Sequence, residues 1–203
     1  MTTCPVSGGH LTALSALSKD GPCDDADAMM LHSAHGFSLF YTRGLHPDVF
    51  LSFTRASTIA EILGDTRFRL RSLWGLFGAK KVAGDYHSAL SFSRKYQSVA
   101  SDNKVDRQAS MTGDRMMAMS LHFLGRHAES RSYLAAILHH TRVIEPDARA
   151  PFQYDNRVTA AAQLSRVLWI QGFPDQAARI AEQSLEEALR GRQEIVESSF
   201  AFG

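Results

Sequence analysis

Cysteine, proline and surplus charge are all scarce in this chain. Of its 203 residues two are cysteine and six proline, and 22 Lys and Arg oppose 21 Asp and Glu, for a formal net charge of +1. Both thiols, Cys4 and Cys23, fall in the first 27 residues. No disulfide can therefore staple the rest, and free thiols in a cytoplasmic setting are expected. The balanced charge argues against direct nucleic-acid binding, which calls for a marked basic excess. No apolar run reaches the roughly 18 residues that span a bilayer. The N-terminus has no basic stretch leading into an apolar core, so neither a membrane partner nor a secretory signal is expected. Sustained period-two alternation is missing, as are Asn-Gly or Asp-Gly hairpins between β-branched runs, which excludes a sheet. The nucleophile and zinc motifs Gly-x-Ser-x-Gly and His-Glu-x-x-His do not occur, and no enzyme is expected.

What the chain does contain is a repeated turn. Gly84, Gly125 and Gly172 each close one helical run just before a second begins. Eight positions before each glycine stands an apolar residue (Leu76, Met117, Leu164), and two before stands another (Val82, Phe123, Ile170). Five after comes a small residue (Ala89, Ser130, Ala177), and eight after an apolar one (Phe92, Tyr133, Ile180). Stacked helix hairpins carry this signature, because each unit buries its apolar face only against its neighbours. The glycines are 41 and 47 residues apart, longer than the roughly 34 of an ideal tetratricopeptide unit. The expected fold is all-α, an irregular tetratricopeptide-like antiparallel helix-hairpin array over 28–203, preceded by a flexible leader over 1–27.

Helices are expected over 28–41, 47–63, 65–83, 85–100 and from about 102 to 124. Further helices are expected over 126–143, 154–171 and 174–190, with a loop over 144–152. Pro47 and Pro174 suit first helical turns, and Asp65 and Asp102 offer caps. Leu70, Leu73, Trp74 and Phe77 make one apolar stripe, and Leu134, Ile137 and Leu138 another. Ala177, Ile180, Ala181 and Leu185 should hold the last long helix to its partner. Gly191 should end that helix, and a further one could start at Arg192. Its Ile195, Val196 and Phe200, with Phe202, would cap a repeat array poorly.

Several stretches resemble the C-terminal helical-repeat region of large bacterial signalling ATPases. In that family a winged helix-turn-helix or nucleotide cyclase domain precedes an AAA-type ATPase, and tetratricopeptide-like repeats follow. The stretches are Tyr41-Thr42-Arg43-Gly44, Leu73-Trp74-Gly75-Leu76, Gly84-Asp85-Tyr86, Gly113-Asp114-Arg115-Met116 and Ser120-Leu121-His122-Phe123-Leu124-Gly125. The others are Phe152-Gln153-Tyr154-Asp155 with Arg157, and 165–177, where Trp169-Ile170-Gln171-Gly172-Phe173-Pro174-Asp175-Gln176-Ala177 is the most specific. The chain has no Gly-x-x-x-x-Gly-Lys-Ser/Thr loop, helix-turn-helix or cyclase domain, so ATPase and DNA-binding activities do not carry over. The resemblance implies a non-catalytic protein-interaction module related to these regulators. A truncated remnant, or a small-molecule sensor using the groove, stands as the alternative.

Candidate sites are few. His32 and His35 are three apart, but a transition-metal site takes three or four ligands and none is placed by spacing, so neither metal nor cofactor is expected. Cys4, His10 and Cys23 form no zinc knuckle, and His139 and His140 face different ways. Glu182, Glu186 and Glu187 read as a solvated face. Arg67, Arg69, Arg71, Lys80, Lys81, Arg94, Lys95, Lys104 and Arg107 read as a mixed-charge surface. Met111, Met116, Met117 and Met119 read chiefly as packing. In a tetratricopeptide array the first helices of successive hairpins line a concave face. Slots ten, six and three before the turn glycines hold Trp74, Gly78 and Lys81; Arg115, Met119 and His122; and Ala162, Arg166 and Trp169. Tryptophans flanked by cations suit an acidic or aromatic-bearing peptide, from a related regulator or another copy of the chain. The competing reading places both tryptophans in the core.

Overall fold

The structure is a computed structural model that describes residues 24–102, 107–140 and 156–201, with side chains for 24–102, 107–139 and 156–190. Among the described residues there are eight helices and no strand: α1 Asp25–Arg43, α2 Pro47–Leu63, α3 Thr66–Val82, α4 Tyr86–Asp102, α5 Arg107–Phe123, α6 His127–His140, α7 Asn156–Ile170 and α8 Pro174–Ala201. The chain divides into two compact units, Met1–Lys104 with α1–α4 and Val105–Gly203 with α5–α8. The expected loop over 144–152, Cys4, His10, Cys23 and Lys104 lie outside the described residues, as do the side chains of His140, Ile195, Val196, Phe200 and Phe202.

One turn is built four times. Gly64, Gly84, Gly125 and Gly172 have φ between 69° and 84°, left-handed backbone that a glycine adopts without a Cβ penalty. Around each, the glycine N–H bonds the carbonyl three residues back, at Glu61, Lys81, His122 and Trp169. The next N–H bonds five back, at Ala60, Lys80, Leu121 and Leu168. This Schellman pair satisfies carbonyls that the helix end leaves open. Gly64 joins consecutive hairpins rather than the arms of one, and sequence spacing did not group it with the other three.

Helix boundaries differ from expectation where a side chain intervenes. α1 begins at Asp25 because the Asp24 carboxylate accepts from the Ala26 N–H at 3.3 Å. α4 runs through Ser101 and Asp102, where a break was expected, and Ser98 Oγ donates to the Asp102 carboxylate one turn on. α8 continues past Gly191 to Ala201. A glycine costs a helix interior about 1 kcal/mol but ends it only where the chain turns left-handed.

In the first unit the core is organised around Phe53 of α2, which is wholly buried. A Cβ on Gly36 of α1 would lie 2.8 Å from its ring, and one on Gly75 of α3 2.6 Å. Two glycines thus let three helices close on one aromatic ring. In the second unit Met111 and Ala118 of α5, Leu134 and Ile137 of α6, Ala160, Leu164, Val167 and Leu168 of α7, and Ala177 of α8 form one cluster.

The repeat slots behave unequally. Leu76, Met117 and Leu164 are buried, as are Ala89, Ser130 and Ala177. Ser130 also donates to the Ala118 carbonyl at 2.7 Å, tying the two arms of its hairpin. Val82, Phe123 and Ile170, two before each glycine, are exposed instead. The inward stripe runs eight and five before each glycine, joined by Leu121 and Leu168 four before Gly125 and Gly172, and a residue two before lies about 100° from its line. On α8 the inward stripe is Ala177, Ile180 and Ser184, whereas Ala181 and Leu185 face solvent, Leu185 at 61% exposure. Only part of the expected α8 packing stripe therefore meets α7.

Candidate functional site

Two helices of the second unit, α5 and α7, lie side by side, and a buried polar cluster fixes their alignment. Arg115, in a slot expected to face a partner, is only 7% exposed, and its Nε donates to Asn156 Oδ1 at 2.9 Å. The Asn156 amide donates to Thr112 Oγ1 at 3.1 Å and to the Gln108 carbonyl at 3.2 Å. The Thr112 hydroxyl donates back along α5 to the same carbonyl at 2.9 Å. Asn156 thereby pins the first turn of α7 onto α5. On the other flank of α7, Arg157 makes a bidentate pair with Glu187 of α8, at 2.8 and 2.7 Å. The hydrogen bonds from Arg157 hold the Glu187 carboxyl below its ordinary range. Glu187 is therefore a tie between helices, unlike its exposed neighbours Glu182 and Glu186.

Further along these helices the side chains open out. Met119 and His122 of α5 are half-buried, and Arg166 and Trp169 of α7 are exposed, Trp169 at 66%. His122 stands 5.2 Å, ring to ring, from His127 at the start of α6. The Nδ1 atoms of both rings are buried and hydrogen-bond to no described group. Burial, then His127 and Arg166, depress the His122 pKa, so this ring resists protonation. Gln163 of α7, one turn before Arg166, is 6% exposed, and neither its amide oxygen nor its nitrogen has a partner among the described groups.

The other named residues are placed as follows. Trp74 and Lys81 of α3 belong to the first unit, both half-buried. The Trp74 ring lies 5.9 Å from Phe37, over which Arg71 places its guanidinium at 4.9 Å. Gly78 is buried and Ala162 half-buried. The second-unit residues Met119, His122, Arg166 and Trp169 occupy neighbouring helices. His35 is buried with Nδ1 2.9 Å from Ser52 Oγ, clamping α1 to α2, and His32 is half-buried one turn away. Among the described residues no three His, Cys, Asp or Glu side chains gather as metal ligands. Arg69 pairs with Glu61 and Lys80 with Asp85, so the basic segment is partly neutralised. Met111, Met116 and Met117 are core.

Sequence reasoning missed Asn156, Gln163 and His127. Asn156 had a usable signal, since asparagine favours helix starts. Gln163 had none, because only the packed helix shows that its amide is buried.

Solved structures share the helical architecture that carries these residues. The chain superposes on the apo form of RapI with a TM-score of 0.76, covering 96% of this chain and 67% of RapI, at 13% identity. The fold is tetratricopeptide-like. Nearly identical TPR-like repeats from Podosopora anserina match with a TM-score of 0.51, covering 93% of this chain and 96% of that one, also at 13% identity. Such identities establish shared architecture and nothing finer. No protein-family description matches the chain, and neither does any curated protein.

Proposed function

We propose that this chain acts by binding rather than by chemistry, as a helical-repeat protein-interaction module in cytoplasmic signalling, related to bacterial ATPase regulators. Its second unit would present the binding face, along Met119 and His122 of α5 and Arg166 and Trp169 of α7. The observation that carries this reading is Trp169, a large aromatic held 66% exposed on a rigid helix beside a cation. Exposed aromatics and arginine supply most binding energy at interfaces, and a tryptophan in water forgoes the gain of burial. The repeat architecture supports it, since such scaffolds offer extended binding surfaces. On this reading Arg115 serves the face indirectly, by aligning α5 with α7, and Trp74 and Lys81 belong to a separate surface of the first unit.

The test is affinity capture at physiological salt with the wild-type chain and with Trp169→Ala. The wild type should retain a protein that the variant loses; failure of both to retain one would refute the reading. A second reading, in which α8 is an edge that another helix completes, is favoured by Leu185 and Leu189, both exposed on that helix. Under it, Leu185→Glu rather than Trp169→Ala would abolish capture.

A further inference from the structure

We propose that the partner of the α5–α7 face is an acidic peptide segment, its carboxylate received between Arg166 and His122 and a neighbouring apolar or aromatic side chain laid on Trp169. This rests on the reading of that face as a peptide-binding surface and adds the chemistry of what it takes. Charge is distributed unevenly between the helices of the second unit. α5 and α7 carry Arg107, Arg115, Arg157 and Arg166 against one carboxylate, Asp114, whereas α8 carries Asp175, Glu182, Glu186 and Glu187 among its acids. Two of those arginines are engaged inside the fold, Arg115 by Asn156 and Arg157 by Glu187. Arg166 is exposed, and no carboxylate of the described residues pairs with it. Burial first, then His127 and Arg166, keep the His122 ring on the adjacent helix from protonating.

Arg166 and the half-buried His122 thus stand on adjacent helices, and no carboxylate of the described residues pairs with either. Arginine presents a planar fork suited to a carboxylate, and since Nδ1 of the half-buried His122 ring is buried, Nε2 is the nitrogen left to donate to the same group. Gln163, one turn from Arg166, holds an unpartnered donor and acceptor in one buried amide. Trp169 and exposed Ile170 supply the apolar area next to this polar seat. A nucleic acid would also offer anions, but the overall charge of +1 and the acidic α8 beside α7 disfavour a polyanion.

Protonation gives the site a pH signature. The groups facing His122 are His127 of α6, Arg166 of α7 and Phe123 on its own helix. In the free protein burial and these positive neighbours depress its pKa, and a bound carboxylate raises it again. Binding therefore takes up a proton and tightens as pH falls through the imidazole range, while the peptide's own carboxyls stay ionised.

The experiment selects phage-displayed random dodecapeptides on the full chain, then measures selected synthetic peptides by calorimetry. Selected sequences should carry Asp or Glu beside an aromatic or large apolar residue. Arg166→Glu should weaken them at least about tenfold, and Arg166→Gln less, with circular dichroism unchanged. Exchanging the peptide acid for lysine should restore binding to Arg166→Glu, and His122→Gln should remove the pH dependence. Selected peptides without acids, lost on Trp169→Ala but indifferent to Arg166→Glu, would overturn this proposal and leave the peptide-binding reading standing. No selected peptide at all would end both. An oligothymidine bound more tightly than any peptide, and lost on Arg166→Glu, would replace the acidic peptide with a nucleic acid.

Discussion

Two tryptophans, one in each unit, are used in different ways. Trp74 leans on Phe37 within an aromatic group that includes Phe53 and the stacked Arg71 guanidinium. Trp169 stands on a helix whose inner face is alanine, leucine and valine, and nothing comparable covers it. The first unit spends its aromatic residues on joining helices. The second joins its helices chiefly with aliphatic residues and a buried arginine, and leaves Trp169 and Arg166 exposed. A residue type therefore says little about role until the packing around it is known.

The comparison can be broken most severely at Phe53. Phe53→Ala would empty the space that Gly36 and Gly75 were shaped around and should cost about 3–5 kcal/mol in chemical denaturation followed at α2. Gly75→Ala attacks the same contact from the other side, pushing a methyl to 2.6 Å from the ring, for about 1–3 kcal/mol. Combined with Phe53→Leu it should cost less than the sum of the two changes, because the smaller side chain vacates the ring edge. Strict additivity would mean that the helices part instead of gripping the ring.

In the second unit the corresponding joint is polar, so the effect should be smaller and differ in kind. Arg115→Met keeps the volume but removes the donor to Asn156 Oδ1, leaving a buried acceptor short of a partner at about 1–3 kcal/mol. Asn156→Leu together with Arg115→Met should recover part of that loss, since it removes the orphaned Oδ1 acceptor along with its donor. Hydrogen exchange in the first turn of α7 is the local measurement. Unchanged protection there would show that Asn156 does not hold the helix.

Much of this architecture was readable in the residues, and the physical reason is local. Turn glycines, prolines at helix starts and the 3.6-residue stripe act within a few positions, so α2 was placed end to end, and Leu76, Met117 and Leu164 were placed in the core. The failures came where a decision depended on a distant neighbour. Val82, Phe123 and Ile170 looked like core because they recur, but recurrence marks equivalence, not burial. Glu187 looked solvated until Arg157, thirty residues away, proved to meet it. Arg115 looked like a surface cation because nothing nearby in sequence announced Asn156. The slots could be counted along the chain, while the engagement of Arg115 and the exposure of Arg166 could not.

The tryptophans allow a milder test. Trp74→Ala should destabilise by about 1–2 kcal/mol through lost contact area. Trp169→Ala should stay within about 0.5 kcal/mol, as for other exposed positions. Equal losses would mean that Trp169 has a structural role and would remove the motive for a partner there.

The smallest effect distinguishes the turns of the two units. After Gly84 comes Asp85, whose carboxylate accepts from the Ser88 N–H at 3.1 Å and from Lys80 at 3.0 Å. After Gly125 comes Arg126, which instead binds Glu129 with two contacts of 2.6 Å. The Ser88 and Lys80 hydrogen bonds hold the Asp85 carboxyl down at about 2, below its ordinary value of 3.8. Because the folded value is the lower one, this cap contributes fully above pH 3.8 and is lost as pH falls toward 2. Asp85→Asn can still accept from Ser88 but no longer titrates, so the stability difference between wild type and variant should shrink across that window. Carboxyl resonances followed by NMR give the site directly, with Asp85 titrating near 2 and moving up in Lys80→Met. A midpoint at 3.8 would show that the carboxylate is loose in solvent, and that the turn after Gly84 rests on its glycine and main-chain bonds alone.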